Sequence, residues 1–225
     1  MTDMKLLVTA GPTREHLDPV RFLSNRSTGK MGFAIAQAAA ERGHAVTLVA
    51  GPVTLPTPPD VARFDVVSAR DMLTAIQQYL PSQDVLVMCA AVADWRPKET
   101  SASKLKKTDM RPVIELEPNP DILQTIRPLK GDRRFVGFAA ETGDPLNEAQ
   151  RKLAAKGLDL IVANDVTQPD AGFAVDTNRV TFLTASEPPR ALPLQSKLDV
   201  GHAIIGWLEQ RIRGTCPNGR DVRAP

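Results

Sequence analysis

The chain of 225 residues is poor in the residue types that build covalent or metal centres. It has two cysteines, Cys89 and Cys216, far apart and in different kinds of segment, which favours a reducing compartment over a disulfide framework. Its three histidines, His16, His44 and His202, cluster neither with one another nor with cysteine, so zinc-ligand spacing is missing. No apolar run approaches the ~20 residues that span a bilayer. The opening "MTDMKLLVTAG" runs straight into a strand without a signal-peptide layout, so a cytoplasmic location and no membrane partner are expected. Neither sign of charge dominates: 28 Lys and Arg against 26 Asp and Glu give +2, which predicts no general attraction to nucleic acid. There is no internal repeat.

What is present is an alternation of β-rich runs and helical stretches. "KLLVTA" (5–10), "AVTLVAG" (45–51), "ARFDVV" (62–67), "DVLVMCAA" (84–91), "RFVGFAAE" (134–141) and "LDLIVAN" (158–164) read as strands. "KMGFAIAQAAAERG" (30–43) has helical spacing and a closing glycine, and "SARDMLTAIQQYL" (68–80) has Ser68 as N-cap. Further helices are expected near 145–156 and over 196–213. The pattern predicts an α/β fold, a mostly parallel sheet with helices on both faces. Two parts break it. Residues 92–118 lack periodicity and carry a lysine run, and "NRVTFLTA" (178–185) with "RALPL" (190–194) predicts a C-terminal hairpin. One domain over 1–213 is expected, followed by a disordered tail, 214–225, rich in Pro and Gly.

The stretch "SNRSTGKMG" (24–32) resembles a phosphate loop but fits neither common pattern. In a P-loop frame the first glycine position holds Ser24, and Met31 stands where a Mg²⁺-ligating hydroxyl belongs. A dinucleotide fingerprint would follow the first strand directly and place an acid at the end of the second, where Ala50 and Gly51 stand. The physics still favours an anion. A helix opening has unpaired N–H groups carrying about half a positive charge, and Ser24, Ser27, Thr28 and Gly29 surround it. The plain alternative is an N-cap with a glycine for close packing. Asn25 favours a ligand, because its carboxamide would orient a carbonyl or phosphoryl group.

Other segments bear on the same edge. "CAAVADW" (89–95) offers small residues that admit a flat ring, with Asp94 facing a ribose hydroxyl or a metal. "SASKLKKTD" (101–109) brings Lys104, Lys106 and Lys107. One lysine within about 4 Å of a phosphate is worth ~4 kcal/mol, roughly a thousandfold in rate if felt only in the transition state. "EPNPDIL" (117–123) opens a short helix, "VGFAAET" (136–142) carries Phe138, and Lys152 and Lys156 share one helix face. Each segment has a bland alternative: a turn, a cap, a core ring or a solvated charge. Their shared location at the carboxyl edge of one sheet is what points to a ligand site.

These motifs, in the order "GPTRE…LDPVRFLSNRSTGKMGFAIA", "CAAVADW", "KLKK", "NPDIL", "VGFAAET" and "DLIVANDV", resemble bacterial phosphopantothenate–cysteine ligases from about residue 5 to 213. The resemblance implies a Rossmann-like fold, usually a homodimer, and a synthetase domain over 1–213. It implies joining of 4′-phosphopantothenate to L-cysteine in coenzyme A biosynthesis, with CTP and Mg²⁺. An acyl-cytidylate forms with release of pyrophosphate, and cysteine then displaces CMP. It also implies roles: Asn25 holds the acyl-cytidylate and Lys104 serves its formation. Met88, Cys89, Ala90, Asp94, Pro120, Asp121, Ile122, Leu123 and Phe138 bind the nucleotide, and Lys152 and Lys156 its phosphates. Mg²⁺ would be held mainly by phosphates, with Asp94 as the side-chain candidate.

The departures are Thr28 for serine, Trp95 for tyrosine and Ser103 for an acid. Many such domains follow a flavin-dependent decarboxylase, so the chain is expected to be an excised domain or a stand-alone enzyme. The 165–195 segment is the expected dimer contact. Two rivals stand beside this reading. An NAD(P)-dependent oxidoreductase of the short-chain type needs Tyr-x-x-x-Lys, but the single tyrosine, Tyr79, has Gln83 four residues on. A nucleotide sensor would bind CTP without turnover.

Overall fold

The computed structural model describes residues 3–107, 113–141, 145–165 and 175–213. The expected tail lies outside them. The chain opens with strand β1 (Lys5–Ala10), an antiparallel ribbon of β2 (Arg14–His16) and β3 (Phe22–Ser24), and helix α1 (Lys30–Glu41). Strands β4 (Ala45–Ala50) and β5 (Val61–Asp65), helix α2 (Ala69–Tyr79) and strand β6 (Val85–Met88) follow. A second ribbon, β7 (Trp95–Pro97) with β8 (Leu116–Pro118), leads to the short helix α3 (Ile122–Ile126) and strand β9 (Arg134–Glu141). Helix α4 (Pro145–Lys156) and strand β10 (Leu160–Asp165) precede the short strands β11 (Thr177–Asn178), β12 (Val180–Leu183), β13 (Arg190–Ala191) and β14 (Gln195–Ser196). Helix α5 (Lys197–Arg213) closes the described chain.

The main sheet has the order β13-β12-β10-β9-β6-β1-β4-β5. Strands β5 to β10 in that order are parallel, and β12 and β13 add an antiparallel edge. The chain winds outward from β1 in one direction through β4 and β5, then returns to β6 and winds the other way. The order therefore reverses between β1 and β6, and the loops leaving those two strands diverge to form a crevice. The α/β fold, the parallel sheet and the C-terminal hairpin match the sequence reading.

Strand β1 illustrates why the centre is a sheet. Leu6, Leu7, Val8, Thr9 and Ala10 are all fully buried, as expected of a central parallel strand covered on both faces. Leu6 and Val8 join the apolar layer under α1 and α5, whereas Leu7 joins the layer under α2, α3 and α4. Helix α2 begins with the expected Ser68 cap, strengthened by Asp71 into a reciprocal capping box. The expected strand 84–91 stops at Met88, because the next two N–H groups turn onto a side chain of β1. The aperiodic 92–118 stretch holds the β7–β8 ribbon. Three-residue strands are too short to show a period, and an Arg96–Glu117 ion pair at 2.6 Å ties them.

Helix α1 is seated by Gly32. A Cβ there would lie 2.5 Å from the Ala10 Cβ and 2.9 Å from the Thr9 carbonyl oxygen. The first turn of α1 thus rests directly on the end of β1. At the other end, Glu209 of α5 clasps the α1–β4 turn, accepting from Arg42 at 2.6 and 3.0 Å. His44 accepts the Met4 N–H on Nδ1 and so donates from Nε2 to Glu209, at 3.0 Å. The Arg42 guanidinium holds the Glu209 carboxyl below the usual carboxylate range.

Two outcomes are expected. Gly32→Ala destabilises the fold by about 1–2 kcal/mol in urea unfolding, although alanine in a helix normally gains up to about 1 kcal/mol, because overpacking outweighs propensity. Glu209→Gln lowers the melting temperature by several degrees at pH 7. A carboxyl with a depressed folded pKa contributes stability above its unfolded pKa of about 4.3 and loses it as pH falls, so the gap between the two proteins closes on acidification.

Candidate active site

The crevice is zipped at its root by two threonines. Thr9 Oγ1, fully buried on β1, accepts the N–H groups of Cys89 and Ala90, both at 3.1 Å. Thr13 Oγ1 accepts the Ala93 N–H at 3.0 Å, and Ala91 N–H donates to Gly11 O at 2.9 Å. The two loops therefore stay in register beyond the strands that carry them. Asn119 closes the far side, donating from Nδ2 to Ala93 O at 2.8 Å.

Asn25 bridges across this zipper. Its Nδ2 donates to Ala91 O at 3.0 Å and Val92 O at 3.1 Å. Both amide N–H groups are thereby engaged, which corrects the expectation that the carboxamide orients a carbonyl or phosphoryl oxygen. What the exposed Asn25 offers is its oxygen, an acceptor. Ser24 is likewise engaged, with its hydroxyl donating to Thr13 O at 2.7 Å, so it braces the loop.

Ser27, Thr28 and Gly29 line a cavity of about 70 Å³ at the start of α1. Gly29 is the helix N-cap, left-handed at φ 80°, and has no side chain with which to cap the first turn; its own N–H donates to Ser27 Oγ at 3.3 Å. The close-packing reading belongs to Gly32. Four residues that sequence reasoning passed over share the wall: Lys30, Asn164, Asn178 and Lys197. Lys30 pairs with Asp176 at 2.6 Å. Lys197 is buried, its ammonium bonded to Val175 O, and burial together with Lys30 lowers its pKa. Lys30 stands beside the loop in sequence. The other three come from β10, β11 and α5, and no local motif marks them.

The second cavity, about 460 Å³, lies between residues 88–94 and 119–123, with Phe138 and Lys152 on its wall. Met88, Cys89, Ala90, Asp94, Pro120, Asp121, Ile122 and Leu123 all line it. Cys89 and Phe138 line both cavities, so the two adjoin there. Burial pushes the Cys89 thiol up to about 12, with Lys197 opposing, and a protonated thiol is no nucleophile at neutral pH. Asp121 caps α3 through the Gln124 N–H and binds the Lys156 ammonium. Burial raises the Asp121 carboxyl, but these two donors outweigh it and the net shift is downward. Of the expected lysine pair, Lys152 faces the cavity and Lys156 is engaged with Asp121 and Gln124. Lys104 is exposed and lines neither cavity.

Thr9→Val keeps the shape of β1 and removes the acceptor for two half-buried N–H groups. A loss of about 2 kcal/mol or more is expected in urea unfolding, since each stranded donor costs about 1–3 kcal/mol. A variant as stable as the parent would show that the zipper does not hold the crevice.

Comparison with known proteins shows the family and the fold. The family described as DNA/pantothenate metabolism flavoprotein C-terminal domain matches residues 1–212. The coenzyme A biosynthesis bifunctional protein CoaBC of Bacillus subtilis is 48% identical over 201 residues, 89% of this chain and 50% of that protein. The CoaBC of Escherichia coli K12 is 47% identical over 212 residues, 92% of this chain and 52% of its own. The chain thus spans about half the length of these relatives. The crystal structure of a CoaBC C-terminal domain superposes with a TM-score of 0.81 at 40% identity, covering 94% of this chain and 96% of that one. A Cab2 mutant in complex with phosphopantothenate-cysteine shares the fold, with a TM-score of 0.77 at 17% identity over 94% of this chain and 87% of its own. On this match and these identities, the chain belongs to the DNA/pantothenate metabolism flavoprotein C-terminal domain family.

Proposed function

We propose that the chain is a CTP-dependent phosphopantothenate–cysteine ligase domain, acting in coenzyme A biosynthesis. The observation that carries this reading is the pair of adjoining cavities. One is roomy and flanked by small residues and Phe138, which suits a base and ribose; the other is small and electropositive at the opening of α1, which suits an anion. The near relatives carry coenzyme A biosynthesis in their names, and one protein that shares the fold is a complex with phosphopantothenate-cysteine.

In this reading a carboxylate oxygen of 4′-phosphopantothenate attacks the α-phosphorus of CTP and pyrophosphate leaves. The cysteine amine then attacks the acyl carbon, loses its proton, and CMP leaves. The chain's part is positioning and electrostatics. With Cys89 held protonated, no covalent enzyme intermediate is needed. Asn25, presenting an acceptor, suits the incoming amine of the second step. Lys104 supplies positive charge to the first, and Lys152, on the wall of the larger cavity, adds positive charge beside the phosphates.

Magnesium fits the donor set. Of the two carboxylates lining the larger cavity, Asp121 is engaged by Lys156, which leaves Asp94. Mg²⁺ characteristically takes one or two carboxylates and completes its shell with phosphates and water. When bound it would neutralise charge on the phosphate oxygens.

A homodimer belongs to the proposal, as does fusion or association with a flavin-dependent decarboxylase, since the relatives are bifunctional. Exposed apolar side chains gather on the two ribbons, with Phe22 on β3, Trp95 on β7 and Leu116 on β8, and these favour a second copy there. Residues 166–174 of the other expected contact lie outside the described residues. No helix among the described residues is long and apolar enough to cross a membrane, and a cytoplasmic location is proposed with the rest.

The test is pyrophosphate release, which is expected to require both CTP and 4′-phosphopantothenate and to be weak with ATP. Active, folded protein that binds CTP without releasing pyrophosphate would be a sensor instead. Asn25→Asp loses both donors to Ala91 and Val92 and sets a carboxylate against two carbonyls. It is expected to keep pyrophosphate release but stall cysteine transfer, so that acyl-cytidylate accumulates in a quench assay. Lys104→Gln is expected to cut pyrophosphate release by roughly a thousandfold. Normal release by that variant would move the catalytic charge elsewhere.

A further inference from the structure

Outside both cavities lies a buried carboxylate that the reaction leaves unused. The side chain of Asp18, in the turn between β2 and β3, has no exposed surface. Its Oδ1 accepts the N–H groups of Val20 and Arg21, both at 2.8 Å, and so shapes the turn. Its Oδ2 accepts from the Arg21 guanidinium at 3.0 and 2.5 Å and also from the Leu105 N–H at 3.1 Å. Arg21 Nη2 donates in turn to Leu105 O at 2.9 Å. One ion pair thus grips the N–H and the C=O of a single residue 87 positions away in sequence. The same loop is tied a second time where Ser101 N–H donates to Leu17 O at 2.9 Å. Lys104 sits between these two ties.

We infer that Asp18 is a positioning residue for Lys104, holding the lysine loop in one backbone conformation through its bond to Leu105. This rests on the reading that Lys104 serves the activation step. A lysine on an untied surface loop would have to give up backbone freedom in every catalytic cycle, and a misplacement of about 1 Å costs on the order of a hundredfold in rate. The Arg21 guanidinium keeps the Asp18 carboxyl far below the ordinary carboxylate range, so the strap stays charged across neutral pH. A buried acid that served only the turn would need Val20 and Arg21. The bond to Leu105 adds nothing to that turn and everything to the loop.

Asp18→Asn separates the two roles. It keeps Oδ1 for the turn and replaces Oδ2 with an amide that cannot accept from Leu105. The expected result is a fall of about tenfold to a hundredfold in kcat for pyrophosphate release, with KM for CTP within about twofold. Trypsin cleavage after Lys104, Lys106 or Lys107 is expected to quicken by a similar factor while the rest of the chain resists. In the Lys104→Gln background the same substitution is expected to cost less than about twofold more, because the lysine it positions is gone. If Asp18→Asn fails to fold, Leu105→Pro removes the donor from the other side and is expected to give the same fall in kcat, with trypsin cleavage quickened after Lys106 or Lys107, since a Lys–Pro bond resists trypsin. Losses that multiply in the double variant, or unchanged trypsin sensitivity of the loop, overturn the positioning role with the ligase reading intact. Wild-type protein that releases no pyrophosphate overturns the ligase reading and this role together.

Discussion

The crevice exists because two neighbouring parallel strands, β1 and β6, remain hydrogen-bonded after their regular pairing ends. Side-chain hydroxyls make this possible. Thr9 reaches over from β1 to catch the N–H groups of Cys89 and Ala90, and Thr13 catches that of Ala93. A backbone continuing as strand would have carried both loops on in one plane. Here the loop after β6 turns away while staying fastened to the loop after β1. The N–H groups that secure it are therefore unavailable to a ligand, and the cavity wall beside them runs from Cys89 through Ala90, Ala91, Val92 and Ala93 to Asp94. Asn25 belongs to the same device. Its donors complete the fastening, and its oxygen is the part left for chemistry.

The electrostatics follow from where α1 begins. Gly29 starts the helix without a side-chain cap, and Gly32 lets the first turn press against Ala10 and Thr9. The positive end of the helix is thus brought to the carboxyl edge of the sheet, with Lys30 and Lys197 nearby. Burial lowers the pKa of Lys197 and raises that of Cys89, so the neutral form of each side chain gains weight in the low-dielectric wall. An anion entering the small cavity would favour the charged form of Lys197, adding to the counter-charge that Asp176 already supplies.

Much of this was legible in the sequence where the signal is local. Apolar runs marked β1, β4, β6, β9 and β10, the Ser68 cap marked α2, and small residues after β6 marked a place for a flat ring. The glycine-rich turn marked the opening of α1. The signal fails where position depends on partners distant in the chain. Asn164, Asn178 and Lys197 reach the α1 cavity only because β10, β11 and α5 fold back over it, and each stands in an unremarkable stretch. Lys152 and Lys156 share a helix face in sequence, yet Lys156 is bound by Asp121 at the start of α3 while Lys152 lines the larger cavity. Asn25 stands out in the sequence for its chemistry, but which of its atoms is free depends on two carbonyls more than sixty residues away.

The lysine loop carries the same lesson into the mechanism. Its residues have no period, and by charge alone Lys104, Lys106 and Lys107 are equivalent. What distinguishes Lys104 is the backbone on either side of it, held at Ser101 by Leu17 and at Leu105 by Asp18 and Arg21. Those three anchors lie in or beside the β2–β3 ribbon, which also carries Ser24 and leads into Asn25. A single small antiparallel ribbon therefore holds both the residue assigned to the second chemical step and the loop assigned to the first. Movement of that ribbon would shift both together, so the two steps of the proposed reaction would share one mechanical reference, fastened by the buried Asp18–Arg21 pair.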